Sequence, residues 1–204
     1  MSKQFLLLTA LLSSLAAGIC AEKLRCQAAA PSAAERMSQP GPEQEALSLQ
    51  SGTWDVVATL WPAPGAQAVV TRGLIAQRSM IGPILQEIMR PARGSRTPDF
   101  RRLDYLNFDR VEGRWKYVSM DTRFPVSIMP AWGSVPARDG AIVLQFEPQA
   151  FVGFGTAVEG RFMVSDMVIS SPDSNHVRKE QHVMMANGTG ASWLFTRYEY
   201  TRHR

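Results

Sequence analysis

Apolar and polar residues alternate over short runs along most of the chain after Gly52, and these runs are rich in Val, Ile, Thr, Tyr, Phe and Trp. Gly, Pro, Asp or Asn interrupts them at intervals of about 8–12 residues, a spacing typical of short strands in sandwiches and barrels. The pattern predicts strands at 53–61, 68–80, 84–90, 101–108, 114–122, 141–147, 161–170, 176–185 and 192–201.

The connections between these runs are short and contain turn-forming residues. Short connections favour an antiparallel meander over a parallel sheet with crossover helices. A meander of this length commonly closes into a barrel, which leaves no exposed sheet edge. We therefore predict an all-β fold, an antiparallel up-and-down β-barrel over residues 43–204. A short helix near 43–49 is predicted to precede it, because Pro42 suits a first helical turn and Glu43 favours the positive end of a helix.

The first 42 residues follow a different pattern. Residues 1–21 combine a positive start at Lys3, an apolar run and a small-residue exit, which are the three parts of a secretory signal. The apolar run is shorter than the roughly 20 residues that span a bilayer. We predict a signal peptide at 1–21, a flexible linker at 22–42 and an exported protein, periplasmic or secreted, that is not an integral membrane protein.

The two cysteines, Cys20 and Cys26, lie beside the predicted cleavage site. Cleavage after Ala21 would leave Cys26 alone, whereas cleavage after Gly18 would leave both thiols available to form a bridge. A lipoprotein signal is a competing interpretation, although Ile19 stands where such a signal is expected to have Gly or Ala. The cleavage site and the fate of the cysteines stay open.

Composition narrows the function classes. The 204 residues are 45% hydrophobic and 20% charged with a formal net charge of +4, a balance typical of a globular domain and unlike that of a disordered chain. The basic residues are interleaved with acidic ones and no nucleic-acid-binding motif is present, so no nucleic acid partner is predicted. Only four of the 22 basic residues are lysine: Lys3, Lys23, Lys116 and Lys179.

Several short motifs occur in a characteristic order. They are Leu49-x-x-Gly52-x-Trp54-Asp55-Val56, Trp61-x-x-Pro64-Gly65-Ala66, Arg78-x-Met80-Ile81-Gly82, Tyr105-x-Asn107-x-Asp109, Lys116-Tyr117-Val118-Ser119-Met120-Asp121-Thr122 and Tyr198-x-Tyr200-Thr201-Arg202. From about residue 43 to the end, the chain resembles the DUF1579 family of uncharacterised bacterial proteins. The resemblance implies a lipocalin-like barrel and offers no reaction, substrate or catalytic residue.

Gly52-x-Trp54 also resembles the start of a lipocalin, where the tryptophan closes one barrel end beneath a basic residue of the last strand. Arg197 is the residue expected in that role. The chain departs from the family in its Arg- and Pro-rich segment 90–100 and in segment 125–136, which lacks a run of Ser, Met and Gly. Its ligand therefore need not be the ligand of its relatives.

Aromatic and methionine side chains are the candidates for a ligand cavity. A barrel of about eight strands can hold one small ligand, and methionine adapts to irregular apolar shapes. We predict that a small apolar or amphipathic molecule binds in the lumen, with ordinary core packing as the alternative role of these residues. The predicted lumen residues are Met80, Tyr105, Trp115, Tyr117, Met120, Asp121, Met129 and Trp132.

Asp121 supports an alternative, catalytic interpretation. It shares a strand face with Trp115, Tyr117 and Ser119, and a carboxyl group in an aromatic lumen can act as a general acid or base. No nucleophile, paired-carboxylate or phosphate-binding motif accompanies it, so no catalytic residue is assigned and binding is favoured over catalysis. A third alternative is an envelope interaction protein with a solid core.

An arginine cluster and the histidines complete the candidates. The cluster predicts an anion-binding site near the barrel mouth, with a solvated loop as its alternative; it comprises Arg90, Arg93, Arg96, Arg101 and Arg102. Haem would need His182 aimed into an apolar lumen. His176 and His182 instead share a strand face with Arg178 and Glu180, a row typical of a solvated outer face. No metal or other cofactor is predicted, and the oligomeric state stays open.

Overall fold

The computed structural model of the protein describes residues 31–124, 128–134, 140–151 and 160–204. The chain divides into two compact units, Met1–Arg36 and Met37–Arg204. The described part of the first unit contains the start of helix α1 (Ala33–Ser38), where Ser32 and Glu35 each bind the other's backbone N–H. This reciprocal capping explains a helix inside the segment predicted as linker. The predicted signal peptide, Cys20 and Cys26 lie outside the described residues.

The second unit contains one further described helix and eleven described strands. Helix α2 spans Pro42–Ser48, close to the prediction. The strands are β1 (Gly52–Leu60), β2 (Val69–Ile81), β3 (Ile84–Pro91), β4 (Arg102–Asp109), β5 (Arg114–Asp121), β6 (Ile128–Ser134), β7 (Ile142–Phe146), β8 (Gln149–Ala150), β9 (Phe162–Asp173), β10 (His176–Met185) and β11 (Trp193–Arg202). No helix among the described residues has the length and apolar character needed to cross a bilayer.

The strands form a closed antiparallel barrel, as predicted. Ten of the described strands make the ring, in which β1 pairs with β11 and β10 pairs with β9. The short strand β8 pairs with β9 beside it. Each of the nine predicted strands is present with its ends within three residues of the prediction. The up-and-down prediction is therefore confirmed.

Strands β6 and β8 were not predicted. Strand β6 contains Pro130, which lies opposite Val118 of β5, and a proline within a run argues against a paired strand because it lacks a backbone donor. The structure accommodates it by pairing β6 fully with β5 but with β7 only at Ala131 and Trp132. Strand β8 has two residues, too short to produce a periodic signal.

One end of the barrel, here the Trp54 end, is closed by packing. Trp54 is almost fully buried, and Leu47 of α2 is buried as well. The indole N–H of Trp54 donates to the carbonyl of Gln50 at 2.9 Å. The guanidinium of Arg202 lies 4.4 Å from the ring centroid.

Arg202 therefore takes the role expected of Arg197, and that expectation was wrong. Arg197 lies nearer the other end of β11, where it contacts the ring of Trp61 and donates to Glu180 at 2.7 Å. The physical reason is the antiparallel register, which places Arg202 opposite Trp54 and Arg197 opposite Thr59. A strand-end residue, not a mid-strand one, lies beside the start of β1.

Candidate binding site in the barrel interior

Charged side chains occupy the centre of the barrel. Six charged side chains are buried among the described residues. One of them, Asp121, lies on β5, and the other five point inward from β2, β3, β4 and β10: Arg78, Glu87, Arg102, Asp104 and Lys179. Their strands alternate between buried and more exposed positions, so every second residue points inward. These five side chains form a polar cluster that contacts the core residues Tyr117, Tyr198 and Tyr200.

Strand register brings two carboxylates face to face. Glu87 of β3 lies directly opposite Asp104 of β4, an arrangement that destabilises a sheet when it is not compensated. Lys179 of β10 reaches across the interior and compensates it, with its Nζ 3.1 Å from Glu87 and 2.9 Å from Asp104. Arg78, opposite Glu87 on β2, adds a contact of 2.6 Å.

Hydroxyl groups complete the network around Arg102. Its Nε donates to Asp104 at 3.0 Å, Nη1 to the Tyr198 hydroxyl at 2.6 Å and Nη2 to the Tyr117 hydroxyl at 3.1 Å. Ser119 donates to Asp104 at 2.7 Å. These bonds matter because a buried charge without partners is costly.

The network shifts the pKa values of its members. Burial acts to raise the pKa of Glu87, but Lys179 and Arg78 outweigh burial and the net direction is downward. Burial likewise opposes the shift at Asp104, where Arg102 and Lys179 lower the pKa well below its usual range. Burial and the neighbouring Asp104 raise the pKa of the Tyr117 phenol well above normal. Both carboxyl groups are therefore held as anions.

One polar atom in the described interior lacks a hydrogen-bond partner, namely Nη2 of Arg78. The Arg78 guanidinium lies 4.2 Å from the Tyr200 ring centroid and 5.2 Å from that of Trp54. Contact with two aromatic faces partly offsets the missing bond, since ring faces attract cations. This atom lies toward the Trp54 end, away from the cavity described next.

A cavity of about 140 Å³ lies in the interior at the end opposite Trp54, and we call this end of the barrel the cavity end. Arg102 belongs both to the polar network and to the cavity wall. Asp121 and Arg123 line the same end, together with Gln181. The apolar wall includes Leu60, Val69, Met129, Phe146, Phe151 and Phe195.

Asp121 and Arg123 form a close pair in this wall. Arg123 donates from Nε to one carboxylate oxygen at 2.9 Å and from Nη2 to the other at 2.6 Å. Its guanidinium also lies 3.9 Å from the centroid of the Phe100 ring. The Asp121 side chain is buried, whereas Arg123 is partly exposed. The pair holds a guanidinium at the boundary between cavity and solvent.

The predicted lumen residues divide into two sets. Asp121 and Met129 line the cavity, Trp115 and Tyr117 are buried in the core, and Met80 packs against it. The other three do not face the lumen, and their assignment is corrected: Tyr105, Met120 and Trp132. They occupy the alternate positions of β4, β5 and β6, which face outward.

The predicted arginine cluster is not one site. Arg102 is buried in the interior, while Arg93, Arg96 and Arg101 are exposed and Arg90 is partly exposed on the outer face of β3. The reason is that Arg93, Arg96 and Arg101 lie in the connection between β3 and β4, whereas Arg90 and Arg102 lie on strands and point to opposite faces. Arg102 is thus the member of the set that lines the cavity.

The histidines lie on the outside, as the polar row of β10 predicts. The side chain of His182 is 38% exposed, with Nδ1 3.7 Å from Asp166. His176 accepts or donates a bond with Asp173 at 2.9 Å, depending on its tautomer. No group of three or more metal-ligating side chains occurs in the described parts of the chain. The haem hypothesis needs a His182 side chain that points into the lumen, and His182 lies instead on the outer face of β10.

Sequence reasoning missed four central residues: Arg78, Glu87, Asp104 and Lys179. Their phase along the strands was the available signal. Arg78 alternates in step with Leu74 and Ala76, and Asp104 with Leu106 and Phe108. A charged residue in step with apolar ones indicates a polar group inside the barrel.

Comparisons with known proteins support the barrel fold. No family model and no curated protein matches the chain. Among solved structures, the chain is similar to the crystal structure of Rv2717c from M. tuberculosis, with a TM-score of 0.52 and 14% identity over 81% of this chain and 100% of that one. A likeness at this identity shows a shared fold alone, and membership of the DUF1579 family stays a prediction.

Proposed function

We propose that this protein binds one small amphipathic molecule in the cavity end of the barrel. The observation that carries the proposal is the composition of the cavity wall, in which Arg102, Asp121 and Arg123 face a mainly apolar surface. Ligand pockets commonly combine a large apolar wall with a few placed polar groups. The apolar wall supplies affinity, and the charged groups orient the ligand.

The cavity volume sets the size of the ligand. At about 140 Å³ it is close to an engineered apolar cavity of about 150 Å³ that binds benzene. Sites that enclose drug-sized molecules are about 300–1,000 Å³. The proposed ligand therefore has a single ring or a short chain inside the barrel.

Binding fits the site better than catalysis by Asp121. Both oxygens of the Asp121 carboxylate accept hydrogen bonds from Arg123, and the described cavity wall contains no second carboxylate, histidine or cysteine to act with it. The cavity also favours ligand binding over an interaction protein with a solid core. Export to the periplasm or beyond, and membership of the DUF1579 family, belong to the proposal on the sequence pattern alone.

Native mass spectrometry of protein purified from its own source without detergent tests the proposal. A stoichiometric small molecule that leaves on denaturation is the expected result, followed by rebinding of that molecule to the stripped protein. A bare polypeptide mass, together with no thermal shift from a panel of small metabolites, would contradict it.

Two neighbouring residues of β6 provide a matched pair of variants. Met129 lines the cavity, whereas Ile128 is 69% exposed. Met129→Trp is expected to fill the cavity and abolish binding, while Ile128→Trp places the same ring outside and leaves binding unchanged. Equal binding by both variants would mean that the ligand binds elsewhere.

A further inference from the structure

The cavity end has more positive than negative charge. Two guanidinium groups, those of Arg102 and Arg123, line the cavity beside one carboxylate, that of Asp121. Across the described interior, four cations face three carboxylates, so the surplus is again one positive charge. The cations are Arg78, Arg102, Arg123 and Lys179, and the carboxylates are those of Glu87, Asp104 and Asp121. The surplus cation is Arg123, whose side chain is 41% exposed at the cavity mouth, where it attracts an anion approaching from solvent.

Both arginines keep hydrogen-bond donors for a further partner. A guanidinium has five N–H groups, and the bonds of Arg102 to described residues use three of them. Arg123 uses two side-chain N–H groups, both on Asp121. Donors from two guanidinium groups therefore border one cavity.

We infer that the ligand is a small monocarboxylate, with its acid group bound between Arg102 and Arg123 and its apolar body against the phenylalanine wall. This inference rests on the proposed function and names its ligand class. The planar fork of arginine matches a carboxylate with two parallel hydrogen bonds. A single negative charge matches the single surplus charge of the cavity, whereas a phosphate monoester would bring about two.

Isothermal titration of the full chain with matched pairs of compounds tests the inference. The probes are benzoate with benzamide and hexanoate with hexanamide, which differ within each pair in charge and hardly in size. At least one carboxylate is expected to bind about 10-fold or more tightly than its amide, because hydrogen bonds to charged groups are the stronger ones. Equal affinities within every pair that binds overturn the inference and leave the cavity proposal standing, whereas no binding by any probe counts against both.

Arg123→Gln is the variant that assigns the acid group to its site. It is expected to lower carboxylate affinity by about 10-fold or more and to leave amide affinity within about 2-fold. Arg101→Gln is the control, because Arg101 is exposed on the outer face next to buried Arg102. An unchanged carboxylate preference in Arg123→Gln overturns the inference.

A second variant covers the case in which Arg123→Gln fails to fold. The single change leaves the buried carboxylate of Asp121 without its partner, whereas Asp121→Asn with Arg123→Gln removes both charges together. The double variant is expected to fold, as circular dichroism would show, and to keep only part of the preference for carboxylates, because Arg102 remains in the cavity wall while the second guanidinium is lost. Retention of the full preference in the folded double variant contradicts a role for Arg123.

Discussion

Two lysines of this protein each bridge two carboxylates, one inside the barrel and one outside. Lys179 lies 3.1 Å from Glu87 and 2.9 Å from Asp104, and its side chain is 6% exposed. Lys116 lies 2.8 Å from Asp109 and 2.6 Å from Glu112, and its side chain is 43% exposed. The two clusters have similar distances but different surroundings.

The two clusters show that the distance within an ion pair does not determine its contribution to the free energy of unfolding. Exposed ion pairs typically contribute about 0–1 kcal/mol, since water solvates the separated charges nearly as well. Removing one partner of a buried pair costs about 3–5 kcal/mol, since the remaining charge has lost its solvent. The shorter distances of the Lys116 cluster would suggest that it stabilises the fold more, whereas the burial of the Lys179 cluster predicts that its lysine is the more costly to remove.

The largest expected difference comes from removing each lysine. Lys179→Met is expected to lower the free energy of unfolding by about 3–5 kcal/mol, because Glu87 and Asp104 then face each other without the ammonium group. Lys116→Met is expected to leave the free energy of unfolding nearly unchanged, because its ion pairs are exposed to solvent. Urea unfolding of both variants measures the contrast.

Neutralising the inner carboxylates sharpens that result. Lys179→Met combined with Glu87→Gln and Asp104→Asn leaves the buried guanidinium groups of Arg78 and Arg102 without their carboxylate partners. This variant is therefore expected to be at least as destabilised as Lys179→Met alone. Equal losses in Lys179→Met and Lys116→Met would show that burial does not set the energy of these clusters.

Acid titration is expected to have the next largest effect. The pKa values of Glu87 and Asp104 are lower in the folded chain than in model peptides, so the folded state binds fewer protons than the unfolded state near pH 4. The stability that they contribute is complete above the unfolded pKa, about 4, and is lost as the pH falls toward the folded values.

Urea unfolding between pH 6 and pH 3 measures this dependence. The stability of the wild-type protein is expected to fall with decreasing pH more steeply than that of Glu87→Gln with Asp104→Asn. In the outer cluster, Lys116 and backbone hydrogen bonds lower the pKa of Asp109 to about 2, so the double variant keeps part of the slope. Identical slopes would contradict the assignment to the inner carboxyl groups.

Two tyrosine hydroxyls are expected to show the smallest difference. Tyr198→Phe removes a buried acceptor of Arg102 and is expected to cost about 1.5 kcal/mol, whereas Tyr105→Phe removes an outer bond from Gln86 and is expected to cost about 0.5 kcal/mol. Thermal and urea unfolding measure both. A larger loss of stability in Tyr105→Phe than in Tyr198→Phe would contradict the conclusion that buried hydrogen bonds contribute more than outer ones.

The sequence predicts the barrel well because alternation and turn residues act locally. The sequence predicts the inward position of Asp121, because Asp121 alternates in step with Trp115 and Tyr117 on the same strand. Tyr105 and Trp132 were placed inside because they are aromatic, and their phase shows that they face outward. A shift of one residue moves a side chain to the other face.

The charged interior required information from several strands at once. Lys179 is informative only when β10 is known to lie across the barrel from Glu87 and Asp104, which are more than 70 residues earlier in the chain. No local pattern links these positions. The fold was therefore predictable from short segments, whereas the polar network depends on long-range register.

The pairing of the first strand with the last has a consequence for chain connectivity. Trp54 lies opposite Arg202, so a linker from the end of β11 to Pro42, where α2 begins, would close the polypeptide and keep Leu47 in the core. New termini could then be opened at the tight turn around Gly82, between β2 and β3, because exposed turns tolerate such breaks. A circular permutant of this kind would retain every strand neighbour, so the architecture does not depend on where translation begins.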